Sequence, residues 1–502
     1  MKTDSAGPIS TGVHGLDQIL MGGLPRHRLY LVEGSPGTGK TTFGLQFLME
    51  GQRNNEVGLY VSLSETKEEI EAVAKAHGWS LDGIQIFELA ASEEQLSPDR
   101  QYTMFRAAEV ELTPILQEIL KQVELTKPSR IVFDSLSELR IVARESLRFR
   151  RQILALKQFF AGRQSTVLLL EDKTQQGENE HQLQSLCHGV ICLEQSSVGY
   201  GAKRRRLDVI KMRGTDFKGG FHDYHIRKGG IVVYPRLIAA EHHQDYTAEP
   251  VKSGAKGLDD LLGGGLERGT SNLFMGASGT GKTTLAVQYA TALAEKGERS
   301  AIFSFDETTA TLLRRSQRLG IGLKPHIDAG RIKLMQIDPA EMVPGEFIGI
   351  VANAVENDNA RMIVIDSLNG YLNAMPEERF LVTQMHELFS YLNQRGILTI
   401  LVVSQAGLIG DEIKAPVDVS YVADSVIYLR YFEANGAVKK AISVVKKRSS
   451  DHEDTIREFR FSANGLDVGE VLLDFQGVLA GNPIYTGSDR PLLEEGKASH
   501  GA

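Results

Sequence analysis

The sequence predicts an α/β fold of two tandem domains, each with a mostly parallel sheet flanked by helices. The first observation behind this prediction is a segment of the form G-x-x-x-x-G-K-[ST], which occurs twice, each time between an apolar strand and an amphipathic helix. The second is a longer repeat, since residues 11–24 and 253–266 read nearly alike. These two stretches are separated by the same distance along the chain as Lys40 and Lys282, so the repeat spans a whole domain.

The repeat predicts domains at residues 1–240 and 241–465, followed by a tail at 466–502 that we expect to be partly disordered because it combines Gly, Pro and mixed charges. No apolar run approaches the ~18 residues of a membrane span, and the polar N-terminus does not have the character of a secretory signal. We therefore expect a cytoplasmic protein without membrane contact. A net charge of −8 argues against a broad polyanion-binding surface, so we do not expect nucleic acid as a partner.

The two glycine-rich segments are predicted nucleotide-phosphate loops. Glycines allow successive backbone N–H groups to turn toward phosphate oxygens, and the helix N-terminus that follows adds partial positive charge. Lys40 and Lys282 are expected to reach the β- and γ-phosphates, while Thr41 and Thr283 hold Mg²⁺. The predicted nucleotide-binding residues are Gly34, Ser35, Pro36, Gly37, Thr38, Gly39, Lys40 and Thr41 in the first domain and Gly276, Ala277, Ser278, Gly279, Thr280, Gly281, Lys282 and Thr283 in the second.

A strand that ends in acidic residues follows each loop helix. The first domain has Glu65 at this place, and the second has Asp306 and Glu307. A carboxylate at the C-terminal end of a strand beside the phosphate loop is placed to orient or activate a water at the γ-phosphate, so these three are predicted catalytic residues. The alternative is that they cap the helix that follows, a position that Asp and Ser favour.

A later apolar strand in each half runs into an Asp-Ser pair, with Asp134 in the first domain and Asp366 in the second. This pattern predicts the strand on the Mg²⁺ side of the site, where the Asp supports the metal through water. The next apolar strand ends in Glu171-Asp172 in the first half and in Ser404-Gln405 in the second. Gln405 is either a sensor of the γ-phosphate or an ordinary polar residue at a strand end.

Each half closes with a β-rich segment that contains a K-x-R pair, Lys211 with Arg213 and Lys446 with Arg448. Residues two apart on a strand share a face, so each pair is able to bind one anion together. The alternative is a solvated basic strand edge. Because the pair occurs in both halves, we favour a phosphate clamp.

Taken together, these motifs resemble the KaiC family, whose members consist of two tandem RecA-like P-loop NTPase domains that assemble as a double-ringed hexamer. The resemblance extends from Thr11 to about Leu466, because the same motifs occur in one order, twice. It implies ATP and Mg²⁺ as cofactors, self-association into a homohexamer, and clock- or signalling-type protein partners whose identity is open. It also implies that ATP lies between subunits and that the K-x-R pairs act in trans on a neighbour's phosphates.

The sequence departs from the family pattern in two places. Members carry two adjacent acids after the second strand, whereas the first domain here has Ser64 before Glu65, so we expect altered hydrolysis there. Members also phosphorylate adjacent Ser and Thr residues of their second domain, and the matched positions here are Ser420 and Tyr421. Ser420 is therefore the candidate phosphoacceptor, with an acid of the second domain as base, unless it is merely a loop or strand-edge residue. Tyr421 is a poor substitute for Thr because its hydroxyl lies farther from the backbone.

The predicted function is an ATP-binding, ATP-hydrolysing protein with serine/threonine autokinase activity in the second domain. Two other functions remain open at this point. One is a RecA- or DnaB-like ATPase that depends on DNA, against which stand the net acidity and the lack of an evident aromatic and basic groove for single strands. The other is a nucleotide-gated signalling scaffold without kinase activity.

Overall fold

The computed structural model describes residues 7–89, 112–143, 146–173, 180–197, 201–373, 381–405, 423–434, 436–463, 465–479 and 483–487. The chain forms two compact units. The first comprises Met1–Arg236 with Val343–Gly349, and the second comprises Leu237–Met342 with Ile350–Ala502. Among the helices that the structure describes, none combines the length and apolar character that a bilayer crossing requires.

The first half of the chain alternates strands and helices and then ends in strands. Its elements are α1 (Leu16–Ile19), β1 (Leu29–Gly34), α2 (Lys40–Arg53), β2 (Gly58–Ser62), α3 (Lys67–His77), β3 (Ile84–Glu88), α4 (Leu112–Thr126), β4 (Arg130–Asp134), α5 (Leu136–Ala143), α6 (Ser146–Ala161), β5 (Thr166–Asp172), α7 (Glu180–Leu186), β6 (Gly189–Ser196), β7 (Arg204–Met212), β8 (His222–Arg227) and β9 (Gly230–Tyr234).

The second half repeats this succession after a short 3₁₀ helix, Ala239–His242. Its elements are β10 (Pro250–Val251), α8 (Lys256–Leu261), β11 (Leu266–Glu267), β12 (Ser271–Gly276), α9 (Lys282–Glu295), β13 (Arg299–Ser304), α10 (Thr309–Arg318), α11 (Leu323–Asp328), β14 (Ile332–Gln336), α12 (Pro344–Glu356), β15 (Ala360–Asp366), α13 (Leu368–Asn373), α14 (Leu381–Gln394), β16 (Leu398–Ser404), β17 (Ser425–Ala434), β18 (Ala437–Lys447), β19 (Arg457–Ser462), β20 (Gly465–Val471), β21 (Phe475–Gln476) and β22 (Ile484–Tyr485).

Each unit is built on one large sheet. Within the described residues the first sheet has the strand order β3-β2-β4-β5-β1-β6-β7-β8-β9, parallel from β3 to β6 and antiparallel beyond. The second sheet has the same order, β14-β13-β15-β16-β12-β17-β18-β19-β20. The predicted tandem RecA-like α/β fold is confirmed. Because the central strands are parallel, their C-terminal ends meet at one edge, where the phosphate loops lie.

Helices cover both faces of the first sheet, because alternate residues of a strand face opposite sides. Tyr30 and Val32 of β1 belong to a core that includes Phe43 and Phe47 of α2. Leu31, between them, belongs to a second core with residues of α5 and α6. The middle residues of the central strands are accordingly apolar, as expected for a parallel sheet buried on two faces. The cores hold the strand ends in place.

Ordered structure continues past residue 465, where we expected the tail to begin. Gly465–Val471 is strand β20, which pairs antiparallel with β19 at the edge of the second sheet. Its Leu466 and Val468 pack against the core of the second unit. The alternation of these two apolar residues with polar ones is the signal of a half-buried strand.

Candidate nucleotide-binding sites

Both phosphate loops turn into their helices through a glycine in the left-handed region. Gly39 has φ 95° and Gly281 has φ 113°. A Cβ atom on Gly39 would lie 2.7 Å from Ile226 Cδ1, and one on Gly281 would lie 2.4 Å from Phe461 Cε2. Residues other than glycine are therefore disfavoured at both positions, because the backbone is left-handed and because a Cβ atom would clash. The following amides start α2 and α9 with their N–H groups directed at the loop.

In the first unit the loop is fixed by hydrogen bonds to its own backbone and to β8. Thr38 Oγ1 donates to the Ser35 carbonyl at 2.8 Å, and the buried Tyr224 hydroxyl donates to the Thr38 carbonyl at 2.7 Å. These contacts preorganise the loop. Tyr224 was not among the predicted site residues, because it follows the loop by a long stretch of sequence and only the sheet brings it near.

Lys40 is buried beneath this loop and is held by three oxygens. Its ammonium donates to the carbonyls of Gly34 at 2.9 Å and Ser35 at 3.2 Å. It also forms an ion pair with Asp172 Oδ1 at 2.7 Å. Asp172 ends β5, and the parallel register places it beside Gly34 of β1.

Thr41 and Asp134, the two predicted metal residues of the first unit, are in direct contact. Thr41 Oγ1 donates to Asp134 Oδ2 at 2.7 Å, and the Tyr60 hydroxyl donates to the same oxygen. Burial raises the pKa of Asp134, whereas these two hydrogen bonds and the charge of Lys40 favour its ionised form. A hydroxyl at the start of the loop helix and a carboxylate oxygen at the end of β4 suit Mg²⁺, which takes oxygen ligands and keeps several waters.

Glu65 lies half-buried after β2, next to this pair. Burial raises its pKa, and the charges of Asp134, Glu69 and Asp172 raise it further. Its Oε2 atom is buried without a hydrogen-bond partner in the described part of the chain. The helix cap that was the alternative role is Thr66 instead, which forms a capping box with Glu69.

The second loop has a similar internal geometry. Thr280 Oγ1 donates to the Ala277 carbonyl at 2.9 Å. Lys282 donates to the carbonyls of Gly276 at 2.8 Å and Ala277 at 2.7 Å. Burial lowers the pKa of Lys282 to about 8, although the charge of Asp366 opposes this. The residue beside Gly276 in the parallel register is Ser404, not an acid.

A cavity of about 740 Å³ opens above the second loop. Besides the loop itself, the charged side chains that line it include Asp306, Glu307, Arg315, Asp366, Lys439 and Lys440. Its volume lies in the range of small-molecule and cofactor sites, roughly 300–1,000 Å³. The cavity joins the loop to the predicted acids at one edge of the sheet.

Asp366 and Asp306 are both hydrogen-bonded in this cavity. Burial raises the pKa of Asp366 to about 6, with Asp306 and Glu307 raising it further, while a hydrogen bond from Thr283 and the charge of Arg315 oppose the shift. Asp306 Oδ2 accepts a hydrogen bond from Ser367 Oγ at 2.5 Å. The contact between Thr283 and Asp366 repeats that between Thr41 and Asp134.

Glu307 differs from Glu65 because a guanidinium holds it. Arg315 of α10 contacts both carboxylate oxygens, with Nη1 to Oε1 at 3.0 Å and Nη2 to Oε2 at 2.9 Å. As in the first unit, the helix cap is the next residue, Thr308, whose side chain accepts from the Thr311 amide. Arg315 was not among the predicted site residues, because Glu307 precedes the helix that carries Arg315 and no sequence pattern relates the two.

The K-x-R pairs lie near the N-terminal ends of the central strands, whereas the phosphate loops lie at the C-terminal ends. Lys211 is opposite Val190 near the start of β6, and the Arg213 amide donates to the His188 carbonyl. In the second unit Lys446 is opposite Val426, and the Arg448 amide donates to the Asp424 carbonyl. At about 3.3 Å per residue, several strand residues separate each pair from the loop of its own unit.

Two further predicted residues have different outcomes. Gln405 Oε1 accepts a hydrogen bond from the Tyr428 hydroxyl at 2.8 Å, and the Gln405 backbone N–H donates to the Gly276 carbonyl at 3.0 Å. It therefore lies directly behind the second loop. The candidate phosphoacceptor Ser420 and its neighbour Tyr421 lie outside the described residues.

Comparison with known proteins gives one family for both units. A family model described as "ATPase: KaiC" matches residues 9–238 and again residues 251–472. These two matches account for most of the chain and contain both phosphate loops.

Three similar proteins span nearly the whole chain. The chain is 27% identical over 493 residues to circadian clock protein KaiC3 of Synechocystis sp., covering 97% of this chain and 96% of that protein. It is 28% identical over 486 residues to circadian clock oscillator protein KaiC of Synechococcus elongatus, covering 94% and 91%. It is 27% identical over 494 residues to circadian clock oscillator protein KaiC of Thermostichus vulcanus, covering 96% and 92%.

Proposed function

The chain belongs to the KaiC ATPase family, and from this premise we propose that it binds and hydrolyses ATP at both phosphate loops and phosphorylates itself in its second domain. The observation that carries the proposal occurs twice. A loop lysine, a threonine–aspartate pair and a further carboxylate converge at the C-terminal edge of each sheet. Phosphoryl transfer requires this combination of anion binding, metal binding and a group that positions the nucleophile.

In the proposed reaction the chain acts mainly by positioning and by neutralising charge. Backbone amides of the loop and the lysine ammonium bind the β- and γ-phosphates. Thr41 with Asp134, and Thr283 with Asp366, would hold Mg²⁺, which supplies positive charge to the phosphate oxygens. Glu65 positions and deprotonates the attacking water of the first site, a role supported by its raised pKa and its unpartnered buried oxygen.

We propose Asp306 as the base for the acceptor hydroxyl of the second site, because Arg315 already binds both oxygens of Glu307. The proposed acceptor is Ser420, by its matched position in the family pattern. Hydrolysis at the second site would use the same carboxylate on a water molecule. The two sites are thus proposed to share the phosphate chemistry and to differ in the nucleophile.

We further propose that the protein works as a homohexameric ring in the cytoplasm, with nucleotide between subunits. This is supported by the K-x-R pairs, which lie too far from the loop of their own unit to bind its phosphates. A neighbouring subunit's phosphates are the anions that Lys211 with Arg213, and Lys446 with Arg448, would bind. The names of the relatives point to clock-type protein partners.

Single-site variants test this proposal with two measurements on the same samples. Lys40→Ala and Lys282→Ala should each leave ATP hydrolysis by the other loop, and the double variant should lose about 100-fold or more of the total, since the loop lysine stabilises the transferred phosphate. After incubation with Mg²⁺ and ATP, intact-mass measurement should find added phosphate in the unaltered chain and in Lys40→Ala. It should find none in Lys282→Ala or Ser420→Ala.

Three results would contradict parts of this assignment. Phosphate that persists in Lys282→Ala would exclude the second loop as the kinase site. Hydrolysis without phosphate on any chain would favour the nucleotide-gated scaffold. Strong stimulation of hydrolysis by single-stranded DNA would favour a DNA-dependent ATPase.

A further inference from the structure

Asp172 occupies one of the hydrogen-bonding directions that a nucleotide phosphate needs at Lys40. A lysine ammonium has three donors. At Lys40 they are directed at the carbonyls of Gly34 and Ser35 and at Asp172 Oδ1, at 2.9, 3.2 and 2.7 Å. The carbonyls belong to the loop itself, so the carboxylate is the acceptor that an incoming phosphate would replace.

The second site lacks this acid at the same position. The register that pairs Gly34 with Asp172 pairs Gly276 with Ser404. Among the described residues, Lys282 donates to two carbonyls, those of Gly276 and Ala277, which leaves one donor for a ligand. Burial lowers the pKa of Lys282 to about 8, against the opposing charge of Asp366. The second site therefore provides, within the same chain, a comparison in which the loop lysine has no neighbouring carboxylate at this position.

The charge of Asp172 acts where the terminal phosphate would lie. Besides burial, which is the main cause, Asp172 contributes to the raised pKa of both Glu65 and Asp134. These are the residues proposed for the attacking water and for the metal. A dianionic γ-phosphate between them would meet the repulsion of Asp172, whereas a diphosphate lacks the group that lies closest to it.

We propose that Asp172 is a specificity residue of the first site, a built-in anion that competes with nucleotide phosphate for Lys40 and weakens triphosphate binding more than diphosphate binding. The proposal rests on the proposed function only in that the first loop binds nucleotide. Asp172 side-chain exposure is 36%, against 8% for Lys40, so the carboxylate is free to swing toward solvent while the lysine stays in place. The exchange requires no movement of the loop.

The test measures nucleotide affinity at one site at a time in the full chain. With the second site disabled by Lys282→Ala, the chain is titrated with Mg²⁺ and a fluorescent, non-hydrolysable ATP analogue, and separately with fluorescent ADP. Asp172→Asn keeps the shape and removes the charge. A charge-assisted hydrogen bond is worth about tenfold or more in an equilibrium, so the ATP analogue should bind about tenfold more tightly, and ADP by a smaller factor.

The reverse substitution provides the matched control. Ser404→Asp, in a chain whose first site is disabled by Lys40→Ala, should weaken binding of the ATP analogue about tenfold by installing the competitor at the second lysine. Melting temperatures of all variants without nucleotide would reveal a folding defect. If Asp172→Asn fails to fold, Ser404→Asp alone decides, and unchanged affinity there overturns the proposal.

The outcomes separate this inference from the function on which it rests. If Asp172→Asn binds both nucleotides saturably with unchanged affinities, the ratio of the two affinities is also unchanged. That result overturns the role of Asp172 and leaves nucleotide binding at the first loop intact. A Lys282→Ala chain that binds neither nucleotide contradicts binding at the first loop, and both claims then fail. Tighter binding of both nucleotides by the same factor overturns the preference between them.

Discussion

In the first unit a carboxylate pairs with the loop lysine, and the candidate catalytic glutamate has a buried oxygen without a partner among the described residues. In the second unit no carboxylate is paired with the loop lysine among the described residues, and an arginine pairs with the glutamate. Lys40 is paired with Asp172, and Glu65 Oε2 has no partner among the described residues. Lys282 contacts carbonyls of its own loop, and Glu307 is bound at both oxygens by Arg315. The two loops themselves have closely similar contacts.

The difference lies at positions that the fold leaves free to vary. The glycine turns, the lysine-to-carbonyl bonds and the threonine–aspartate pair recur, as the proposed binding of phosphate and Mg²⁺ at both sites requires. The residues that differ lie at the end of one strand and at a partly buried position of one helix, and they determine which charged side chains form ion pairs. One fold thereby supports two sites that are tuned separately.

The largest expected effect concerns the two glutamates. Glu65→Gln, measured with the second site disabled by Lys282→Ala, should lower ATP hydrolysis about 100-fold or more, since a positioned general base contributes at least this much. Glu307→Gln, measured in a Lys40→Ala chain, should lower hydrolysis about tenfold or less, because its oxygens are already engaged by Arg315.

Asp306→Asn in the same Lys40→Ala chain is the internal control for the second site and should exceed the effect of Glu307→Gln. Equal losses for Glu65→Gln and Glu307→Gln would show that the ion pair with Arg315 does not restrain Glu307. Glu65 and Glu307 would then contribute equally to hydrolysis despite their different contacts.

A smaller effect on hydrolysis is expected from exchanging the residue types at the helix position that, in the second unit, pairs with the glutamate. Arg315 lies eight residues after Glu307, and Val73 lies eight residues after Glu65. Arg315→Leu should free Glu307 and raise hydrolysis at the second site several-fold, up to about tenfold, the worth of a charge-assisted hydrogen bond. Val73→Arg should lower hydrolysis at the first site by a similar factor.

Val73→Gln is the uncharged polar control, since Val73 packs against the core and any larger residue costs some packing. Hydrolysis would be followed in single-site chains as above. A loss of activity in Val73→Gln equal to that in Val73→Arg would assign the effect to packing instead of charge.

The fold and the phosphate loops could be predicted from the sequence because each depends on local patterns that occur twice. The strand–loop–helix order and the Asp-Ser strands are contiguous in the chain, and the structure brings Thr41 to Asp134 as expected. Asp172 was visible as an acid at a strand end. Its contact with Lys40 was not, since it depends on β5 lying beside β1, and strand order is a property of the whole sheet.

Arg315 and strand β20 were missed for other reasons. Arg315 lies on a helix that begins after Glu307, so no helical period relates the two residues, and only the helix's angle to the sheet brings them together. The strand Gly465–Val471 follows a stretch of mixed polarity, and its apolar residues were too few to outweigh the composition of the tail. Both depend on tertiary packing.

The smallest expected effect is a pH dependence of stability that belongs to the first unit. Burial raises the pKa of Glu171 from 4.5 to about 7, although Arg140 at 2.6 Å favours the charged form, and Val403 stands at the same register position in the second unit. A group whose folded pKa is raised stabilises the fold below its unfolded pKa, and this stability is lost as the pH rises through 7. The first unit should therefore lose about 1.5 kcal/mol between about pH 5.5 and pH 7, and Glu171→Gln should remove that loss.

The single tryptophan of the chain, Trp79, lies in the first unit, so its fluorescence during urea unfolding of the full chain follows that unit specifically. The slope of the unfolding free energy against pH is the quantity to compare, because Glu171→Gln also changes the contact with Arg140 by an amount that does not vary with pH. Glu68→Gln, at an exposed carboxylate of α3, controls for the loss of one negative charge. A slope that is the same in all three chains would show that Glu171 is not the group whose titration changes the stability of the first unit.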